Sequence, residues 1–343
     1  MSQFNTLLES FKTQQRQWLV TGCAGFIGSN LAEFLLRHNQ KVIGLDNFST
    51  GHQKNIDAIR NSIDTEFHKN FTFVEGDICD YSTCKKICHN VDIILHQAAL
   101  GSVPRSLKDP ITSNLSNVTG FLNLLTAAKD ADVTRFVYAS SSSVYGDSPE
   151  LPKVESRTGN LLSPYAVTKR VNELYADVFS RSYGINTIGL RYFNVFGKRQ
   201  DPLGAYAAVI PKWIQALLHG QDVTIYGDGE TSRDFCYIDN VIQANLLAAT
   251  TQNKDAISEV FNIAVSAQTT LNELYDLIVK QLKKELPDFN AKEALYEDFR
   301  AGDIRHSNAN INKAKELLGY LPSHTIDEGM QQSIKWYIKN VKQ

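Results

Sequence analysis

The sequence predicts an α/β protein, with a doubly wound parallel sheet and a smaller α/β lobe for a second ligand. Three observations predict it. β-rich runs alternate with helical patterns from Trp18 to about Leu190, as a parallel sheet with crossover helices requires. A glycine-rich turn, GCAGFIG over 22–28, lies between the first apolar run and the first helical pattern. After Asn194 the regularity ends, and Pro202, Gly204, Gly220, Gly227 and Gly229 cut the chain into short pieces. Residues 1–194 are therefore read as the larger domain and residues 195–343 as mainly the smaller one.

The first element after a short amphipathic arm is the strand Gln17–Thr21. The glycine turn follows, and then a helix with apolar residues at helical spacing over Ser29–Arg37. Strand, glycine turn and helix form the context that a dinucleotide fingerprint needs. Gly22, Gly25 and Gly28 permit a tight turn and close approach to a pyrophosphate, and the helix N-terminus faces its charge. The spacing is GxxGxxG. Phe26 and Ile27 lie inside the loop. This is the context of a Rossmann-type sheet.

The second strand, Lys41–Leu45, ends in Asp46 and Asn47. An acid there reads a ribose diol and repels a 2′-phosphate, which favours NAD over NADP. Further strands are read at Phe71–Glu75, Val91–Leu95, Phe136–Ser140, Asn186–Arg191 and Val260–Ala264. Asp77 and Ile78 follow the third strand, and the HQAA run His96–Ala99 follows the fourth. Gln97, Ala98 and Ala99 are small or polar enough to let a ring or ribose approach. Long helices are read at Asn114–Lys129, Ser163–Tyr183 and Leu271–Lys284.

Tyr165 and Lys169 stand four residues apart, on one face if the segment is helical. A phenol titrates near about 10. An ammonium one turn away is expected to lower that value and make the phenolate a usable base. Ser140–Ser143 follow the fifth strand, so their hydroxyls point toward the crevice where ligands sit in such sheets.

Composition narrows the field. The chain has 343 residues, a formal net charge of −2 and 43% hydrophobic residues. That balance carries no electrostatic footprint for nucleic acid. There is no apolar run long enough to span a bilayer, and the N-terminal residues lack an apolar signal core. A cytoplasmic protein with free thiols is expected from Cys23, Cys79, Cys84, Cys88 and Cys236. Cys84, Cys88 and His89 have no second ligand cluster to answer them, so no metal is expected. Asn70, Asn114 and Asn117 open glycosylation sequons that mean little without a leader.

With these residues in view, the chain resembles the extended short-chain dehydrogenase/reductase family. The glycine loop, Asp46, Asp77, HQAA, the serine run and the Tyr165/Lys169 pair carry the resemblance. It covers nearly everything after about the first 16 residues. Within that family the chain is most similar to the nucleotide-sugar 4-epimerases, and more narrowly to those acting on UDP-N-acetylglucosamine. The narrower likeness rests on Gly101–Ser106 (GSVPRS), Arg191–Gly197 (RYFNVFG), Asp201–Pro211, Gly227–Cys236 (GDGETSRDFC) and Arg300–Ser307 (RAGDIRHS).

The resemblance implies NAD as a retained cofactor. It implies a C4 oxidation to a 4-keto sugar, rotation of that sugar, and reduction from the opposite face. Catalysis falls to Ser141, Tyr165 and Lys169, with Ser141 relaying the 4-OH proton and Lys169 also holding the nicotinamide ribose. Related sugar 4,6-dehydratases carry Asp-Glu where Ser142 and Ser143 stand, so loss of water is disfavoured and these two serines become substrate contacts. Asn194, Arg233 and Arg300 match residues that hold the diphosphate. Asp303 matches a contact to ribose or to Arg300, Tyr226 a wall of the uridine pocket, and Val209 another pocket residue. Ser307 stands where enzymes strict for UDP-glucose and UDP-galactose have a tyrosine. A small residue there leaves room for an N-acetyl group, and Gly101 and Ser102 touch the same sugar. Segments near 235–264 are expected to return to the larger domain, and the two long helices to pair with their copies in a homodimer. The competing readings are a UDP-glucose/UDP-galactose or UDP-glucuronate 4-epimerase, a UDP-glucuronate decarboxylase, and a non-catalytic dinucleotide sensor.

Overall fold

The computed structural model describes residues 2–204, 207–299 and 304–341. Its centre is a seven-stranded sheet of Gln17–Thr21 (β1), Lys41–Asp46 (β2), Phe71–Glu75 (β3), Ile93–His96 (β4), Arg135–Ser141 (β5), Thr187–Tyr192 (β6) and Val260–Ile263 (β7). The order across the sheet is β7-β6-β5-β4-β1-β2-β3. Every neighbouring pair is parallel. The chain steps outward from β1 to β3, then returns to place β4 on the other side of β1. That reversal opens a crevice outside the carboxyl ends of β1 and β4.

Both faces of the sheet are covered, which explains strands that are apolar throughout. Alternation still operates within them. Trp18 and Val20 enter one core, while Leu19 enters the other. Val137 and Phe136 divide between the two cores in the same way. The predicted strands all appear, with ends shifted by a residue or two. β7 pairs with β6, so a late segment does return to the large sheet.

One expected element differs. The helix read over Asn114–Lys129 is interrupted: Pro110–Asn114 leads into a π-helical turn at Leu115–Thr119, and the α-helix resumes over Gly120–Asp130. The extra residue per turn points Asn117 inward. Its amide oxygen accepts from Leu100 N at 2.7 Å, and its Nδ2 donates to Leu100 O at 3.1 Å and Thr168 Oγ1 at 3.2 Å. Such π turns cluster at functional sites because they re-aim side chains. Here the turn ties the loop after β4 to the helix Pro164–Tyr183.

The smaller lobe is built from short pieces. Ser232–Arg233 lies between Thr269–Thr270 and His306–Ser307, and Leu295–Glu297 pairs with Thr224–Tyr226. No helix among the described residues is long and apolar enough to cross a membrane. Cys84 and Cys88 are buried in the core of the large sheet. Among the described residues no group of three or more His, Cys, Asp and Glu side chains is placed to hold a metal.

Candidate active site

A cavity of about 330 Å3 lies at the crevice beside β1. Gly22, Gly25, Phe26, Ile27, Gly28, Asp46, Asn47, Asp77, Ile78, Gln97, Ala98, Ala99 and Gly101 line it. The glycines are required by contact. Gly22 has φ +68°, and a Cβ there would lie 2.8 Å from Ala98 N. A Cβ at Gly28 would stand 2.1 Å from Gly22 O. The helix Phe26–Arg37 starts at this turn with no side-chain cap, so its first N–H groups point at the cavity.

Asp46 is buried at the end of β2 and is tied down by the backbone. Its oxygens accept from Ala24 N at 2.9 Å and Phe48 N at 2.8 Å. Burial pushes this carboxyl up, against those N–H bonds. Asn47 Nδ2 donates to Asp77 at 2.9 Å, and Asp77 also accepts from Cys79 N at 2.7 Å. These bonds hold the Asp77 carboxyl below the usual range despite partial burial. The close backbone approach and the acid at the end of β2 fit a dinucleotide pyrophosphate and a ribose diol.

The helix Pro164–Tyr183 supplies the other wall. Ser163 caps it by accepting from Ala166 N at 3.1 Å, a contact worth about 1 kcal/mol. Pro164 occupies the first turn, where a missing N–H costs nothing. Tyr165 N donates to Ser106 Oγ at 3.0 Å, which docks the helix start on the GSVPRS segment. The Tyr165 phenol lies near enough to the Ser141 hydroxyl to be lowered by it. Lys169 is buried one turn on, with Nζ 5.9 Å from the Tyr165 ring centroid and 2.8 Å from Ala139 O, to which it donates.

The expected lowering of the phenol by Lys169 is not found. Burial pushes Tyr165 up, and the Ser141 hydroxyl pulls it part of the way back. The Lys169 ammonium is directed at Ala139 O instead. Burial brings Lys169 itself down to about 8, with Glu173 opposing.

Ser141 ends β5, and its Oγ accepts from Ser143 N at 3.1 Å, starting the 3-10 turn Ser142–Tyr145. Ser143 Oγ is buried without a hydrogen-bond partner among the described residues. Ser102 caps a short helix by accepting from Arg105 N at 3.1 Å, so its hydroxyl is already engaged.

A second cavity, of about 200 Å3, gathers Asn194, Val209, Tyr226 and Arg233. Ser307 does not line it, yet it pairs with Arg233 in register across two parallel strands. Arg300 and Asp303 lie outside the described residues. Sequence reasoning missed Lys212, Trp213 and Phe235 in this cavity, and Ser49, Thr50 and Ser116 in the first. Ser116 faces the cavity through the π turn, which no periodicity announces. It also missed Asp234, whose buried carboxylate accepts from Val265 N at 3.0 Å and Ala309 N at 3.2 Å. The GDGETSRD run was its one available signal. Burial pushes Asp234 up to about 6.

Residues 18–264 match a family model described as the NAD dependent epimerase/dehydratase family. The chain belongs to this family. The fold, NAD as cofactor and the resemblance to extended short-chain dehydrogenases/reductases are thereby borne out. A putative UDP-glucose 4-epimerase of Methanocaldococcus jannaschii is 38% identical, over 94% of this chain and 98% of that protein. A UDP-glucuronate 4-epimerase of Thermodesulfobacterium geofontis is 32% identical, over 95% and 97%. Among solved structures, the UDP-N-acetylglucosamine 4-epimerase from Methanobrevibacter ruminantium M1, in complex with UDP-N-acetylmuramic acid, superposes with a TM-score of 0.86. It is 37% identical over 95% of this chain and 99% of that one. Relatives of this family member thus bear names with three different sugars.

Proposed function

We propose that this chain is a UDP-sugar 4-epimerase, and that its preferred pair is UDP-N-acetylglucosamine and UDP-N-acetylgalactosamine. The observation that carries the N-acetyl preference is the position of Ser307. It stands beside Arg233 in strand register, so on this reading a small residue sits next to the arginine assigned to the diphosphate, just outside the cavity that arginine lines. A bulky ring there excludes an acetamido group, and a hydroxymethyl does not.

The roles follow from the geometry. NAD, when bound along the glycine loop, supplies a hydride acceptor and donor and a positive charge near the phenol. Tyr165 takes the proton of the sugar 4-OH, with the neighbouring Ser141 hydroxyl, which lowers the phenol, assigned to relay it. Lys169 holds its charge one turn from the phenol and would hold the nicotinamide ribose when NAD is bound. Ser142 and Ser143, in the turn after β5, are assigned to the sugar on the family resemblance. Asn194, Tyr226, Arg233 and Val209 hold the UDP, with Arg300 and Asp303 in the same role. That assignment makes residues after 194 the nucleotide-sugar domain. Tight binding of the UDP keeps the 4-keto sugar in place while it turns. Serines where a dehydratase needs acids support epimerisation over loss of water.

The test is direct. Purified protein is incubated with UDP-N-acetylglucosamine, UDP-glucose and UDP-glucuronate, no cofactor added, and the galacto products are counted. The N-acetyl sugar is expected to turn over fastest. Ser307→Tyr is expected to lose about 100-fold on that sugar while keeping most UDP-glucose turnover. Preference for the glucuronate in the parent protein defeats the N-acetyl reading; no product from any sugar defeats the epimerase.

The reading includes a homodimer. Val167, Leu174 and Val178 leave an apolar stripe exposed on the helix Pro164–Tyr183, which packs beside the segment carrying exposed Leu107, Ile111 and Leu115. Ile111 is 81% exposed. Contiguous apolar surface of this kind marks an interface. Sedimentation is expected to give twice the chain mass, and Leu174→Glu with Val178→Glu to give the monomer. A monomeric parent protein at micromolar concentration refutes the dimer.

A further inference from the structure

We propose that Glu173 is a positioning residue, which, gripped by Ser140 and Arg191, latches the helix bearing Tyr165 and Lys169 to the end of β5. This rests on the catalytic reading of Tyr165 and Lys169 above.

Tyr165, Lys169 and Glu173 succeed one another at four-residue steps, so they form one stripe of the helix. Lys169 donates to Ala139 O at 2.8 Å. One turn further, Glu173 Oε1 accepts from Ser140 Oγ at 2.7 Å. Consecutive turns of the helix thus grip consecutive residues of β5, and the next residue of that strand is Ser141, neighbour of the Tyr165 phenol. Two latches at adjacent points fix both the slide and the rotation of the helix over the strand.

The Glu173 carboxylate is saturated. Arg191 on β6 donates Nε to Oε1 at 2.8 Å and Nη2 to Oε2 at 2.9 Å, and Arg170 adds a bond to Oε2 at 2.9 Å. Arg191 and Glu173 are 1% and 3% exposed. Arg191 is itself held: Nη1 donates to Glu155 O at 3.0 Å, and its guanidinium lies 4.9 Å from the Tyr145 ring centroid. A buried ion pair contributes less to stability than to specifying one arrangement. Here the arrangement specified is that of the catalytic stripe.

Glu173 also supplies charge. The charged and titratable groups around Lys169 are Tyr165 and Glu173 on its own helix and His96 at the end of β4, with Arg191, Arg170 and Tyr138 around Glu173. His96 is neutral, pushed down to about 3 by burial and by Lys169. Glu173 is the anion among them, and it opposes the loss of the Lys169 proton.

The experiment uses Glu173→Gln. Because this leaves Arg191 part-paired and the variant could misfold, Glu173→Gln with Arg191→Met is made alongside it. Three readouts are taken: kcat and KM for the UDP-sugar, the pH dependence of kcat/KM, and the Lys169 amine midpoint by carbon NMR, identified by its absence in Lys169→Met. Folded variants are expected to lose about 10- to 100-fold in kcat with KM nearly unchanged. The lysine midpoint and the basic limb are expected to fall together, by about one pH unit. A folded double variant with parental kcat and an unmoved midpoint overturns the proposal. Full turnover in Lys169→Met overturns the catalytic reading instead, so the two failures are distinct.

Discussion

Tyr165→Phe is expected to lose about 1000-fold or more in kcat while binding UDP-sugar as the parent protein does. The change removes one oxygen from a ring that stays in place: Tyr165 N is docked on Ser106, and the helix is capped by Ser163. The lost oxygen is the one that the Ser141 hydroxyl influences. Removing a positioned acid–base group costs about 100- to 10,000-fold, and 1000-fold corresponds to ~4 kcal/mol of transition-state stabilisation. The proposed nucleotide site of Asn194, Tyr226 and Arg233 lies in a separate cavity, so calorimetric titration with UDP-sugar should be unchanged. Retained turnover in Tyr165→Phe would show that another group takes the proton.

Lys169→Met keeps an unbranched side chain one atom shorter and deletes its charge. A loss of about 100-fold in kcat is expected, with weaker retention of NAD through purification, read from absorbance. The pH dependence follows from burial. Lys169 is down at about 8, so its ammonium is present below that value and is lost as pH rises through it. The parent kcat/KM should therefore decline on the alkaline side of about 8, and Lys169→Met should lack that limb. A persistent limb in the variant assigns it to another group. The structure sharpens the reason for keeping the charge. Burial alone raises the Tyr165 phenol, so the site depends on nearby positive charge to produce a phenolate. On the proposed mechanism bound NAD would supply such charge beside the phenol, while Lys169, directed at Ala139 O, does not lower it by itself.

Most of the sheet was legible because its signals are local. The run Gln17–Thr21, the glycine turn and the alternating apolar strands each need only neighbouring residues to declare themselves. The cavity residues Gly22, Gly28, Asp46 and Asp77 follow strand ends, so predicting the strand also located them. The interrupted helix at Leu115–Thr119 was not legible. An extra residue in one turn changes no hydrophobic period strongly enough to notice, yet it turns Ser116 and Asn117 toward the site.

By itself the sequence determined the parallel sheet, the dinucleotide loop and the membership of a tyrosine and a lysine in one helical stripe. These are consequences of periodicity, glycine sterics and helix geometry, all short-range. Only the tertiary structure decided what those side chains meet. Lys169 turned out to bond Ala139 O, Glu173 to be saturated by Ser140 and Arg191, and Ser307 to sit beside Arg233. Partners 30, 33, 18 and 74 residues apart are brought together by strand order and register, and the protonation of a buried group depends on all of them at once.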